Sequence, residues 1–203
     1  MTTTKPGNIL ILCTVVVCAA ALTGCPYYSV WRTYDDNEHI ITHSMNPGST
    51  LNVIGKVGDI SVSGWNRDKV SVTYTKHISL LEGYPTAYSF DPDPFFADMD
   101  VGFEITENTP GLTVRVSFDT PDHSLMSRSV DLDIKVPSNA VLNVQDRVGD
   151  ITIEQVYGAI DVQNNVGDVE VAYPYPMEKD ETISAETNVG DVVLYLPEDN
   201  EFD

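Results

Sequence analysis

Short runs of alternating apolar and polar residues recur along most of the chain, and four of them follow the phrase Val-Gly-Asp. The four phrases begin at Val57, Val148, Val166 and Val189, and each continues with Ile or Val. Glycine permits turn conformations that other residues resist, and aspartate suits the edge of a turn. The alternation that follows is typical of a strand with one buried face. A turn and a strand repeated in one chain predict stacked β rungs.

The repeat is most regular in the second half of the chain. Gly149, Gly158 and Gly167 are nine residues apart, so two nine-residue arms would make one turn of an eighteen-residue coil. We expect Gly149 to stack over Gly167, with Gly158 on the opposite side. Gly190 follows 23 residues after Gly167, which is one turn plus a five-residue insertion that we assign to residues 173–180. Gly58 marks the same corner earlier in the chain.

The alternation also predicts which side chains face inward. No segment shows a convincing helical period, so we expect no helix outside the N-terminal segment. The predicted fold is all-β, a single-stranded β-solenoid or rolled β-sheet of short Gly-Asp-(Ile/Val) repeats with an irregular insertion. The predicted inward residues are Leu51, Val53, Ile60, Val62, Val70, Val72, Tyr74, Leu112, Val114, Val116, Val130, Leu132, Ile134, Val136, Ile151, Ile153, Ile160, Val162, Val169, Val171, Val192, Leu194 and Leu196.

The N-terminal segment has the features of an export signal. Residues 9–22 are almost entirely apolar, too few to span a bilayer comfortably, and Leu22-Thr23-Gly24-Cys25 follows. These four residues resemble the lipobox of bacterial lipoproteins, which implies cleavage before Cys25 and a lipid on its thiol. An uncleaved anchor helix, or an ordinary signal with an incidental cysteine, are the alternatives. Cys13 and Cys18 would be lost with the signal, which leaves no partner for an intramolecular disulfide.

The net charge of the chain limits the kinds of partner that it can bind. There are 31 acidic against 11 basic residues, a formal net charge of -20. Nucleic acids and anionic membrane surfaces attract clustered Lys and Arg, so we expect neither as a partner. The predicted organisation is a signal peptide over residues 1–24, a tether and N-terminal cap over 25–49, a β-repeat domain over 50–196 with an insertion at 79–107, and an acidic tail over 197–203.

Two passages resemble a known family. They are GDISVSGWNRDKVSVTYTK from Gly58 and VDLDIKVPSNAVLNVQDRVGDITIEQVYGAIDVQNNVGDVEV from Val130. They are similar to the β-strand-repeat domain of unknown function described as a proposed adhesin of bacterial envelope proteins. The resemblance implies a right-handed β-solenoid or rolled sheet exposed on the envelope, and it brings no catalytic residues. The matching positions are Gly58, Asp59, Gly64, Trp65, Val70, Val72, Pro137, Gly149, Asp150, Gly158 and Gly167.

Aspartates are the candidate cation ligands. Asp150, Asp168 and Asp191 occupy equivalent turn positions after Asp59, and stacked carboxylates repel unless water, turn amides or a cation such as Ca²⁺ intervene. Both a solvated turn residue and a cation bridge remain open. A second acidic group lies in the insertion without the spacing of an EF-hand loop. Its members are Asp91, Asp93, Asp98 and Asp100.

No catalytic constellation is recognisable. His39 and His43 are four residues apart without an HExxH motif, and no GxSxG, Walker or GxGxxG motif occurs. We therefore expect a non-enzymatic, lipid-anchored envelope lipoprotein without a cofactor, an adhesin or surface-binding module. Its partners would be the membrane, through Cys25, and a cell-wall glycan or envelope protein, with the insertion at residues 79–107 as the best local binding surface. The alternatives are a β-helix enzyme acting on polysaccharides and an accessory protein of envelope-stress signalling.

Overall fold

The structure is a computed structural model that describes residues 29–83, 90–105, 111–119, 126–174 and 182–197. Fourteen strands and one short helix occur within these residues. They are β1 (Ser29–Asp35), β2 (His39–Ser44), β3 (Thr50–Ile54), β4 (Ile60–Trp65), β5 (Lys69–Gly83), α1 (Asp93–Ala97), β6 (Asp100–Glu104), β7 (Leu112–Ser117), β8 (Met126–Pro137), β9 (Val141–Gln145), β10 (Ile151–Glu154), β11 (Ile160–Val166), β12 (Val169–Ala172), β13 (Ile183–Val189) and β14 (Val192–Tyr195).

The strands form two sheets, which confirms the all-β class. The first has the order β1-β5-β8-β4-β10-β12-β14, and β2 also pairs with β5. The second has the order β13-β11-β9-β3-β7-β6. Pairing is parallel through the glycine repeats but antiparallel wherever β1, β2, β5 or β6 takes part. Because both sheets are mixed, a single-stranded solenoid is not confirmed as a description of the whole chain.

The parallel part is built from rungs, each consisting of one strand in either sheet. In one sheet Leu142 pairs with Ile160, and Ile160 with Ile183. In the other, Val169 pairs with both Ile151 and Val192. In both sheets, paired positions on successive rungs are therefore separated by 18 residues of chain and then by 23. This confirms the eighteen-residue turn and locates the five extra residues between β12 and β13, a connection of which residues 175–181 lie outside the described chain.

The spatial order of the rungs differs from their order in the sequence. The rung of β3 and β4 lies between the rung of β9 and β10 on one side and the strands β7 and β8 on the other. Leu51 pairs with Leu142, which lies 91 residues later. This long separation arises because the chain from β5 to β8 leaves the stack of rungs and returns on its far side. The antiparallel strands β5 and β6 then extend the two sheets beyond β8 and β7.

The core lies between the sheets and contains the predicted inward residues, except for Tyr74, which is only partly buried, and for the residues of the last rung. Leu51, Val62 and Ile153 are fully buried. Val192 and Leu194 remain 40% and 42% exposed, because no strand of the described chain pairs with the outer edge of β14.

The insertion at residues 79–107 contributes to the framework. Its first residues continue β5, and β6 pairs with β7. The expectation of no helix was wrong, since α1 begins after Pro92 and buries Phe96 against the core. A helix of five residues is too short to produce a periodic pattern, and tertiary packing stabilises it. Met99 and Val101 are buried beside it.

The repeat glycines stack in the predicted way. A Cβ atom on Gly167, whose φ is 128°, would lie 2.0 Å from the carbonyl oxygen of Gly149. Gly58 and Gly190 continue the same column on either side. Gly158 lies elsewhere, against the carbonyl oxygen of Ala140. The column explains why glycine is required where successive rungs turn.

The predicted signal peptide, Cys25 and most of the acidic tail lie outside the described residues. Within the described chain, no helix has both the length and the apolar character needed to cross a membrane.

Candidate binding groove

A column of hydrogen-bond donors lines one corner of the coil. Its members are Lys56, Arg147, Asn165 and Asn188, each of which directly precedes one of the four Val-Gly-Asp phrases. Strand register aligns them on successive rungs, and the bridge between Val148 and Val166 carries the alignment to the corner. Asn188 Nδ2 donates a 2.8 Å hydrogen bond to Asn165 Oδ1. The stacking of the rungs thus makes a continuous polar column.

A cavity of about 550 Å³ lies at one end of this column. Its charged lining residues are three cations, Lys56, Arg115 and Arg147, and two carboxylates, Asp98 and Asp119. Arg115 reaches the cavity because it pairs with Ile54, the last residue of β3. Asp98 comes from the turn that follows α1. The other lining residues are Ile54, Gly55, Val116, Ser117 and Phe118.

The three cations of the cavity differ in their partners. Arg115 Nε is 2.8 Å from Glu104 Oε2, and both side chains are exposed. Lys56 Nζ donates a hydrogen bond to the carbonyl oxygen of Phe118 and lies 4.6 Å from the centroid of its ring. The Arg147 guanidinium has no hydrogen-bonding or ion-pair partner among the described residues. It is the cation most available to a ligand.

A second cavity, of about 340 Å³, continues the first. The two cavities share Ile54, Gly55 and Arg147 as lining residues. Together they form what we call the corner groove, which crosses the rungs of the second sheet. The residues that line only the second cavity are mostly amides. They are Gln145, Asp146, Gln163, Asn164, Asn165, Glu186 and Asn188.

Asp146 is a buried carboxyl in the lining of the corner groove. It is 6% exposed, and neither of its carboxyl oxygens has a well-formed hydrogen bond within the described chain. Burial raises the pKa of Asp146 from 3.8 to about 6, the nearby N–H groups of Arg147 and Val148 lower it, and the Asp59 charge raises it.

The next two rungs have hydrogen-bond donors in place of Asp146. Asn164 Nδ2 donates to the carbonyl oxygen of Gly149 at 2.8 Å, and Thr187 Oγ1 donates to that of Gly167 at 3.0 Å. A carboxylate at this position has no proton to donate. Only the protonated form of Asp146 could make the equivalent hydrogen bond.

The aspartates of the Val-Gly-Asp phrases form a ladder of hydrogen bonds. Asp59 Oδ1 accepts from the N–H of Asp150, Asp150 Oδ1 from that of Asp168, and Asp168 Oδ1 from that of Asp191. Asp131 begins the series by accepting from the N–H of Asp59. Of the alternatives left open by the sequence, hydrogen bonding to turn amides is therefore observed.

The other predicted cation ligands do not gather in one place. Asp91 Oδ1 accepts from the N–H of Asp93 at 3.2 Å, Asp98 lines the first cavity, and Asp100 begins β6. Over the ranges that the structure covers, no group of three or more His, Cys, Asp or Glu side chains is arranged to hold a metal ion.

A histidine that the sequence did not single out links three strands. His77 Nδ1 forms a 2.7 Å hydrogen bond with Asp35 Oδ1. On the other side of the ring, His77 Nε2 is 3.0 Å from Asp131 Oδ2, a contact that lacks good hydrogen-bond alignment. The Asp131 carboxylate raises the pKa of His77 most, burial opposes it, and Asp35 raises it further, to about 9. The pKa of Asp131 is correspondingly lowered by His77. These ion pairs join β1, β5 and β8.

The corner groove was not predicted from the sequence, although the sequence contains a pattern that indicates it. The phrases read KVGD, RVGD, NVGD and NVGD, so the residue before each is always a donor. The contribution of Arg115 was hidden, because it depends on the pairing of β3 with β7 across about 60 residues of chain.

Comparisons with known proteins identify distant structural likenesses. No family model matches the chain, and no curated protein does. A proposed cell adhesion protein from Clostridium sporogenes ATCC 15579 has a TM-score of 0.40 at 12% identity over 79% of this chain and 100% of its own. A proposed adhesin from Bacteroides fragilis NCTC 9343 has a TM-score of 0.26 at 14% identity, with 78% and 97% covered. A proposed adhesin from Parabacteroides distasonis ATCC 8503 has a TM-score of 0.23 at 11% identity, over 78% of this chain and 70% of its own. Likenesses this distant do not establish a shared function.

Proposed function

We propose that this protein is a non-enzymatic binding module of the bacterial cell envelope, adhesin-like, that holds a glycan in the corner groove. The observation that carries the proposal is the continuity of the two cavities through Ile54, Gly55 and Arg147. Amide, guanidinium and carboxylate groups are placed there side by side, and a sugar presents hydroxyl groups that both donate and accept hydrogen bonds. Binding sites commonly combine such convergent polar groups with a preformed concave surface.

The rungs give the groove a stiff support. We propose that they constitute a short β-solenoid to which antiparallel strands have been added at one end. Ile54, Gln145 and Gln163 occupy neighbouring strands of one sheet in equal register. Side chains on rigid strands hold their geometry better than side chains on loops. The groove is therefore suited to binding without a large rearrangement.

The lipid anchor belongs to the same proposal. Leu22-Thr23-Gly24-Cys25 has the lipobox pattern, and two acyl chains on Cys25 would hold the protein stably at a membrane. We expect labelled palmitate to be incorporated into the protein expressed in a bacterial host, and Cys25→Ala to abolish the incorporation. Equal labelling of Cys25→Ala would remove the lipid anchor from the proposal.

A groove-filling substitution tests the binding function. We expect Gln163→Trp, on the exposed face of β11, to reduce retention on cell-wall polysaccharide and on a glycan array by at least about tenfold. The matched control is Glu170→Trp, which is also an exposed outward position, on β12 in the other sheet. Equal binding by both variants and the unaltered protein would contradict a site in the corner groove.

One observation favours the enzyme alternative. The pKa of Asp146 is raised to about 6, and a raised carboxyl pKa is a property of general acids in glycoside hydrolysis. Incubation with the polysaccharide that binds, followed by measurement of new reducing ends and of absorbance from unsaturated uronates, separates the two functions. Binding without product supports the binding module. Product that disappears in Asp146→Asn would instead establish an enzyme.

A further inference from the structure

We propose that the ligand of the corner groove is an acidic polysaccharide that bears carboxylate groups and lies across the rungs. Its carboxylate would bind at the end of the groove where Lys56, Arg115 and Arg147 meet. This inference rests on the proposed function and specifies the chemical class of its ligand.

The distribution of charge supports an anionic ligand. The chain has only 11 basic residues against 31 acidic ones, yet three of the basic residues line a single cavity. Arg147 has no partner within the described residues, and the fork of Arg115 retains donors beyond the Nε atom that meets Glu104. A carboxylate between these side chains would form charge-assisted hydrogen bonds, which are stronger than neutral ones.

The two carboxylates of the cavity disfavour an anionic ligand that has no hydrogen-bond donors. Asp98 and Asp119 line the same space and would repel a dense polyanion that carries no donors. Their oxygens can accept hydrogen bonds from hydroxyl groups. An acidic sugar offers both hydroxyl groups for these acceptors and a carboxylate for the cations. The mixture of charges therefore fits a sugar acid.

The donor column favours a polymer over a single sugar. Neighbouring strands are about 4.8 Å apart, so Arg147, Asn165 and Asn188 extend the groove over successive rungs. Beyond Arg147 the column is uncharged. A chain of sugars following the column would thus meet cations at one end and, along the rest, mostly amides together with the carboxyl groups of Asp146 and Glu186, which can accept hydrogen bonds from sugar hydroxyls. We expect affinity to rise with the number of sugar units.

The test uses a pair of ligands that differ only in charge. Fluorescently labelled oligogalacturonate carries a carboxylate on every sugar, and its fully methyl-esterified form has the same rings without the charge. We expect the anisotropy of the acidic probe to give a dissociation constant at least about tenfold lower than that of the ester, with the difference shrinking at high salt. A soluble poly(glycerol phosphate) competitor distinguishes carboxylate from phosphate recognition.

A pair of variants assigns the difference to the groove. Arg147→Gln keeps a donor of the kind found at Asn165 but removes the charge, and we expect it to abolish the preference for the acidic probe. Arg67→Gln is the control, because Arg67 lies over the ring of Trp65, outside the residues that line the groove. We expect Arg67→Gln to preserve the preference within about twofold.

The outcomes separate the inference from the proposed function. Equal affinity for both probes, each lost in Gln163→Trp, would overturn the acidic ligand while leaving a glycan groove. Binding that survives Gln163→Trp would overturn the groove itself. Tighter binding of the phosphate polymer, or no binding of oligogalacturonate, would overturn the carboxylate assignment.

Discussion

The Oδ1 atom of Asp150 accepts a 2.8 Å hydrogen bond from the backbone N–H of Asp168, its counterpart on the next rung. The same bond links Asp59 to Asp150 and Asp168 to Asp191. Each carboxylate thus satisfies an amide at the corner where the following rung turns. The aspartate of the repeat is a corner residue that fixes the spacing of the rungs.

The ladder predicts a difference between isosteric and truncating substitutions. Asp168→Ala removes the acceptor for the N–H of Asp191 and should cost about 1 kcal/mol of unfolding free energy, whereas Asp168→Asn keeps an oxygen acceptor and should cost less. Asp191→Ala is the control, because Asp191 accepts no rung amide within the described chain. Urea denaturation measures all three. Equal losses for Asp168→Asn and Asp168→Ala, or a full loss for Asp191→Ala, would contradict the ladder.

The ladder also bears on Ca²⁺. Because one oxygen of each inner carboxylate already accepts an amide, we expect millimolar Ca²⁺ and Mg²⁺ to raise the Tm equally, by screening a chain of net charge -20. A rise specific to Ca²⁺ that is lost in Asp150→Asn would establish a cation bridge instead.

Asp146 should lower stability at neutral pH. Its pKa in the folded protein, about 6, exceeds the ordinary value of 3.8, so the folded state binds the extra proton and loses stability as pH rises between these values. Asp146→Asn supplies a donor like that of Asn164 and should raise the unfolding free energy at pH 7 by about 1–3 kcal/mol, with a smaller gain near pH 4.

The reverse substitution one rung away is the matched control. Asn164→Asp removes the donor to the carbonyl oxygen of Gly149 and should lower stability at pH 7 more than at pH 4. Urea titrations at the two pH values measure both variants. A loss of stability in Asp146→Asn at pH 7 would show that the ionised carboxylate is structurally required.

The ion pairs of His77 predict alkaline sensitivity. Its pKa rises from 6.5 to about 9 on folding, so its contribution is fully present below pH 6.5 and is lost as pH rises through 9. Asp35 and Asp131 are about half exposed, so we discount the effect for screening to about 1–2 kcal/mol. Stability measured from pH 6 to pH 10 should fall more steeply for the unaltered protein than for His77→Gln. Parallel curves would contradict the assignment.

The glycine column predicts a position-dependent cost of alanine. A Cβ on Gly167 would meet the carbonyl oxygen of Gly149, and its φ of 128° disfavours L-residues, so Gly167→Ala should cost more than about 2 kcal/mol. Gly102 in β6 has no atom within 4 Å of the corresponding Cβ position, and Gly102→Ala should change stability by less than about 0.5 kcal/mol. Thermal melts of Gly167→Ala and Gly102→Ala compare the two losses of stability. Similar costs would contradict the close stacking of rungs.

The sequence predicted the local parts of this fold and missed the long-range ones. Alternation identified Leu51, Ile60 and Val171 as core because a strand has a fixed period of two. The spacing of Gly149 and Gly167 gave the length of a rung directly. The place of β7 and β8 outside the rung of β3 and β4 was not predictable, because nothing in a repeat says which copies become neighbours.

The groove illustrates the same division. Lys56 and Arg147 could be aligned from the phrases that follow them, since equal register carries equivalent positions to the same corner. The contributions of Arg115 and Asp98 could not be predicted, because they depend on the return path of the chain and on the turn after α1. The role of His77 likewise depends on Asp35 and Asp131 in two other strands.

Mapping the ligand by NMR tests the account most directly. In a titration of the ¹⁵N-labelled protein with oligogalacturonate, we predict that the largest amide shift changes will cluster at Lys56, Arg115, Arg147 and Asn165. Shift changes concentrated instead on the outward face of the first sheet, at Thr152 and Glu170, would contradict the corner groove as the binding site.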